Sequence, residues 1–193
     1  MRKTILVTAI LGLAWVAYMA WPVYALLQLA RAIEAKDVAA VMAQVDLPSV
    51  RQSVIGQITE TVMKLTGQKV SPIMRGIIGG VADSIADPII AKLVTPEAMT
   101  ELLRTGWPVD ALPDRPSGTV GISSKQVGTA WQVFSEARYG IRRFEIFVPP
   151  SSPYERRFGL ELRLKQWRWQ LVGVTLPEHL RVRLAESIIK AKR

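Results

Sequence analysis

Arg157-Phe158-Gly159-Leu160-Glu161-Leu162-Arg163-Leu164-Lys165 places Phe158, Leu160, Leu162 and Leu164 on one face of an extended chain and Glu161, Arg163 and Lys165 on the other. That period of two predicts a strand with one face on a core and one in water, as antiparallel sheets carry. Trp167 to Leu176, Ile141 to Val148 and Ala130 to Arg138 are the other strand candidates, and Pro149-Pro150-Ser151-Ser152-Pro153 is the loop joining the second strand to the third. Beyond the sheet, Glu178 to Lys192 reads as a closing helix with Leu180, Leu184, Ile188 and Ile189 inward. Trp107 to Gly121 holds Pro108, Pro113, Pro116, Gly118 and Gly121, a loop at which the period changes from helical to alternating.

Upstream of that loop the signals are helical. Tyr24 to Lys36 carries Leu26, Leu29, Ala30 and Ile33 in one stripe after Pro22, and Asp37 then caps a second short helix, Val38 to Val45. Pro48 suits the first turn of a helix running through Arg51, Val54, Ile58, Val62 and Leu65 and ending at Gly67-Gln68-Lys69. Ile73 to Val94 is strongly apolar and reads as two helices split at Pro88. Thr95-Pro96-Glu97 opens a helix with a cap, a proline at the first helical position and an acid at the positive end of the dipole; it should stop before Gly106.

Thr4 to Trp21 is uncharged over eighteen residues and follows Arg2 and Lys3. As a helix it would extend about 27 Å, close to the apolar thickness of a bilayer. Its length, and the aromatic residues Trp21 and Tyr24 at its end, favour an uncleaved signal anchor; Val23-Tyr24-Ala25 keeps open cleavage and release of the domain into the periplasm. Arg2 and Lys3 hold the N-terminus in the cytoplasm, which makes the protein single-pass with its domain outside.

The 193 residues contain no Cys and one His, His179, which excludes disulfide scaffolds, thiol nucleophiles and histidine-rich zinc sites. No cofactor motif is present. Asp83 and Asp87, four apart on one helix face, have the spacing at which one carboxyl can be raised for hydrolytic acid/base work; a solvated polar stripe is the plainer reading, since no nucleophile accompanies them. Ser187-Ile188-Ile189-Lys190 matches Ser-x-x-Lys without its companion motifs. Gly76 and Gly80 form a Gly-x-x-x-Gly spacing that suits close helix packing. His179 reads as an exposed residue at a helix start.

The formal charge of +9 is unevenly placed: ten basic residues against eleven acidic from Pro22 to Ala137, but thirteen against five from Arg138 to Arg193. Arg142, Arg143, Arg156, Arg157, Arg163 and Arg168, with Trp167 and Trp169 among them, could form a basic sheet face for an anionic surface. The same composition suits nucleic acid, but an external domain beside a membrane meets lipid headgroups first.

Val23 to Leu29, Ala32 to Asp37 and Val45 to Ser53 resemble the opening of the bacterial family of domain of unknown function 2939. Leu93 to Glu97 resembles its turn into the last helix, and Trp169 to Pro177 its terminal strand. The resemblance implies a small protein anchored in the bacterial inner membrane, with no established activity. Lys165-Gln166-Trp167-Arg168 departs from the family's Gly-containing turn and leaves a tight hairpin there unsupported. The expected architecture is α+β: a signal anchor over residues 1–21, a helical half over 22–106, a loop over 107–121, and over 122–193 a curled antiparallel sheet of three or four strands with a C-terminal helix. That order is similar to the cone-shaped fold of the nuclear transport factor 2 and cystatin-like groups, a likeness of fold alone. The function expected is non-catalytic: an anchored envelope protein binding a lipid, peptide or protein partner.

Overall fold

A computed structural model describes residues 2–67, 95–109, 112, 114, 121–127, 135–149 and 152–191. Phe158–Lys165 is β3, paired antiparallel with β2 (Arg143–Val148) and β4 (Arg168–Thr175); β1 is the two-residue strand Arg138–Tyr139, and the order is β1-β2-β3-β4. The helices are α1 (Arg2–Glu34), α2 (Val38–Gln44), α3 (Leu47–Thr66), α4 (Pro96–Thr105), α5 (Ser124–Val127) and α6 (Glu178–Ala191). The architecture is α+β, with the sheet open at both edges.

Alternation along β3 gives the core its floor. Phe158, Leu160 and Leu162 are buried opposite Val148, Ile146 and Phe144 of β2, and Leu164 is partly buried. Trp169 and Leu171 of β4 pair with Leu164 and Leu162, while Val174 pairs with Leu160. Leu171 and Val174 are three apart, so strict alternation would send one of them outward. A bulge opposite Glu161/Leu162 leaves Val172 as the extra residue and keeps both facing inward. Leu26, Leu29, Ala30 and Ile33 of α1, Val54 and Ile58 of α3, and Leu180, Leu184 and Ile188 of α6 close the same cluster.

Helix ends obey local chemistry. Asp37 accepts from the Ala40 N–H, Asp46 from the Ser49 N–H, and Thr95 from the Ala98 N–H; Gly67 and Gly106 end α3 and α4 at φ 71°. β4 is the longer of the two edges, and it is capped without a strand. The Gln57 side-chain amide donates to the Val174 carbonyl at 2.8 Å and accepts from the Leu176 N–H at 2.9 Å, while Asp46 N–H donates to the Leu171 carbonyl at 2.8 Å. These bonds occupy groups that an exposed edge would offer to another chain.

Four sequence expectations are corrected. The helix expected to begin after Pro22 is the second half of α1, which runs unbroken through that proline. Pro22 removes one backbone bond, but it is itself buried, and the Leu26–Ile33 stripe of the same helix is anchored in the core. In the candidate strand Ala130 to Arg138, of which residues 135–138 are described, Ser135 and Glu136 are helical and, among the described residues, only Arg138 pairs. Ile141 lies in a turn before β2. The β3–β4 connection is a tight hairpin after all, with Gln166 at φ 47° and Trp167 at φ 61°. Positive φ at both central residues matches the right-handed twist of the strands, and strand pairing enforces it without glycine.

Candidate functional site

The outer face of the sheet carries charges of both signs. Arg143 and Arg163 are directly opposite on β2 and β3, a like-charge pair that needs a counter-ion. Glu161 provides it, with Oε1 3.1 Å from Arg143 Nε and 2.8 Å from Arg163 Nε. Glu145 sits 3.9 Å from Arg138 and 3.8 Å from Arg143. Arg157 turns away from this face to Glu136, at 2.6 Å, and to the Ser152 carbonyl. Arg156 lies on a 3-10 turn, Tyr154–Arg156, at the far end of the sheet. There partial desolvation, with the Arg156 and Arg183 charges, holds the His179 imidazole below its usual range. The six arginines singled out from the sequence therefore divide among three places.

Arg142 and Arg168 occupy the third, the hairpin end of the sheet. The β1–β2 turn and the β3–β4 turn come out at this end, because β2 enters opposite Arg163 and β3 leaves beside Arg168. They are held together: Leu164 N–H donates to the Arg142 carbonyl at 3.0 Å, and the Arg142 guanidinium donates to the Leu164 carbonyl at 3.2 Å. Each turn presents a large apolar side chain followed by an exposed arginine. Ile141 is 85% exposed and Trp167 78%. Tyr18 of α1 donates its hydroxyl to the Ile141 carbonyl. The hairpin end thus lies beside the half of α1 whose apolar residues, from Ile5 to Val16, are all exposed.

A concavity of about 380 Å³ is lined by Trp107, Leu112 and Asp114 on one side and by Arg183, Glu186, Ser187 and Lys190 of α6 on the other. Arg183 stacks 5.7 Å from the Trp107 ring centroid, and Trp107 Nε1 donates to the Leu112 carbonyl at 2.6 Å. Ser187, the serine of the Ser-x-x-Lys match, donates its hydroxyl to the Arg183 carbonyl within the helix. Among the described residues no group of three or more His, Cys, Asp or Glu is placed to hold a metal ion. Asp83, Asp87, Gly76 and Gly80 lie outside the described residues.

Comparison with known proteins adds a family. Residues 11–102 match the model described as Protein of unknown function (DUF2939). The chain resembles that family. The DUF2939 match takes in α1 from Leu11 onward, α2, α3 and most of α4, and includes the Val23–Ser53 and Leu93–Glu97 stretches; the Trp169–Pro177 stretch lies beyond it. No curated protein and no solved structure matches the chain. Sequence reasoning missed Tyr18, counted within an apolar run, and Ile141, taken for a strand residue. The signal for Trp167 was present: two residues between two alternating runs are the length of a tight hairpin.

Proposed function

We propose that this chain is a non-catalytic, membrane-anchored envelope protein. α1 remains in the inner membrane with its N-terminus in the cytoplasm, and the α+β domain stands in the periplasm to bind a lipid, peptide or protein partner. The observation that carries the reading is the division of α1 into two halves on one unbroken helix. Ile5, Leu6, Val7, Ile10, Leu11, Leu13, Trp15 and Val16 are between 54 and 74% exposed, whereas Leu26, Leu29, Ala30 and Ile33 are buried among the core residues. Apolar surface of that extent needs a covering phase, and the helix is long and apolar enough to cross a bilayer. An anchor that is also a core element gives the domain a fixed place at the membrane instead of a flexible tether.

A periplasm-active phosphatase fused after Arg193 tests the orientation. It should be active, and the fusion should sediment with membranes and resist alkaline carbonate. An inactive reporter would place the domain in the cytoplasm, and full release by carbonate would remove the anchor.

A further inference from the structure

We propose that the hairpin end of the sheet is a second membrane contact, in which Ile141 and Trp167 enter the headgroup region of the bilayer that holds α1 while Arg142 and Arg168 pair with anionic lipid phosphates. The proposal rests on the anchored reading above and adds the face of the domain that meets the lipid. Position is the first argument. Tyr18 lies three residues before Trp21, about 4.5 Å along the helix at about 1.5 Å per residue, so a backbone carbonyl bonded to Tyr18 sits at the depth of the last turn of the apolar segment. Ile141 owns that carbonyl, and its own side chain is almost fully exposed.

Composition is the second. Ile141-Arg142 and Trp167-Arg168 repeat one pattern on the two turns: an apolar group able to enter the interface, then a cation able to stay at headgroup level. The arginines on the sheet face pair with Glu145 and Glu161, whereas among the described residues neither Arg142 nor Arg168 has an acidic partner. Two cations without a described acidic partner thus sit at the end nearest the anchor, where an anionic headgroup complements them. Backbone conformation is the third. Trp167 sits in a left-handed conformation that an aromatic residue rarely adopts, imposed by the pairing of β3 with β4, and its side chain, 78% exposed, offsets little of that cost.

Because the chain has no cysteine, single-cysteine labelling tests this on the full protein. An environment-sensitive fluorophore is attached at Ile141→Cys, at Gln166→Cys, which leaves Trp167 in place, at Tyr154→Cys on the opposite end of the sheet, and at Leu13→Cys in the apolar half of α1. The proteins are reconstituted into phosphatidylcholine vesicles with and without phosphatidylglycerol. In the mixed vesicles the labels at positions 141 and 166 should be shielded from aqueous iodide and quenched by brominated acyl chains, and the label at 154 should remain in water. Arg142→Gln with Arg168→Gln should lower the docked-to-undocked ratio by roughly tenfold to thirtyfold at low salt, at on the order of 1 kcal/mol per cation, and added salt should do the same to the unsubstituted arginines. Trp167→Ser in the Gln166→Cys background should expose the label.

Labels at 141 and 166 as accessible as the one at 154, with the Leu13 label in lipid, would overturn the docking and leave the anchor intact. A Leu13 label in water would overturn the anchored reading itself. Shielding that is equal in neutral and mixed vesicles and indifferent to both arginine changes would overturn the assignment of an anionic headgroup.

Discussion

Gln57 does the work of a missing strand with one side chain. Its amide meets a carbonyl of β4 and an N–H two residues on, just past the strand's end, as the backbone of a neighbouring strand would. Gln57→Ala should leave Val174 O and Leu176 N without their partners and lower unfolding stability in detergent by about 2 kcal/mol, measured as a urea midpoint. Gln57→Glu keeps the acceptor and should recover part of that loss. Asp46 is a second junction: it caps α3 through Ser49 and receives Lys165 Nζ at 2.5 Å. The Lys165 hydrogen bond, opposed by burial and helped by Ser49, holds the Asp46 carboxyl below the ordinary carboxylate range. The folded state therefore takes up this proton less readily than the unfolded chain. Its stabilisation is full above the ordinary value of 3.8 and is lost as pH falls from there through the lower folded value. Lys165→Met should flatten the acid dependence in that window. At neutral pH it should cost only on the order of 1 kcal/mol, because the lysine side chain is 43% exposed and solvent screens the pair. Midpoints across a pH series check both statements.

At the scale of elements, the caps were readable because each is a local contact: Asp37, Asp46 and Thr95 each reach an N–H three residues on. The core face of β3 was readable because alternation is local too. Continuation of α1 through Pro22, the bulge at Val172 and the edge cap by Gln57 were not, since each depends on residues far away in sequence. Tyr18 and Ile141 are 123 positions apart, and no local pattern joins them. The β3–β4 hairpin is a case where strand pairing overrides turn preference. Replacing Gln166-Trp167 by Asn-Gly should relieve two left-handed non-glycine residues and raise stability by about 1 to 2 kcal/mol, read by thermal unfolding in detergent. Under the proposed docking the same change should weaken lipid contact by removing the Trp167 ring. Gain of stability with loss of interfacial contact is the pattern of a residue kept for function.

For the molecule as a whole, α1 joins an exposed apolar half to a half buried in the core, and under the proposed anchoring it links two media. Its buried half belongs to the same core as the sheet and α6, so the candidate span and the domain are coupled through one continuous helix. That coupling gives Tyr18, the hairpin end and the unpaired arginines a common level, and it makes retention of the N-terminal half the central claim. The measurement that bears on it most directly is intact mass spectrometry of the native protein, with the carbonate-resistant membrane fraction and the soluble periplasmic fraction analysed side by side. A single species in the membrane fraction that still contains residues 1–25 is the predicted result. A soluble periplasmic species beginning at Leu26 would contradict it.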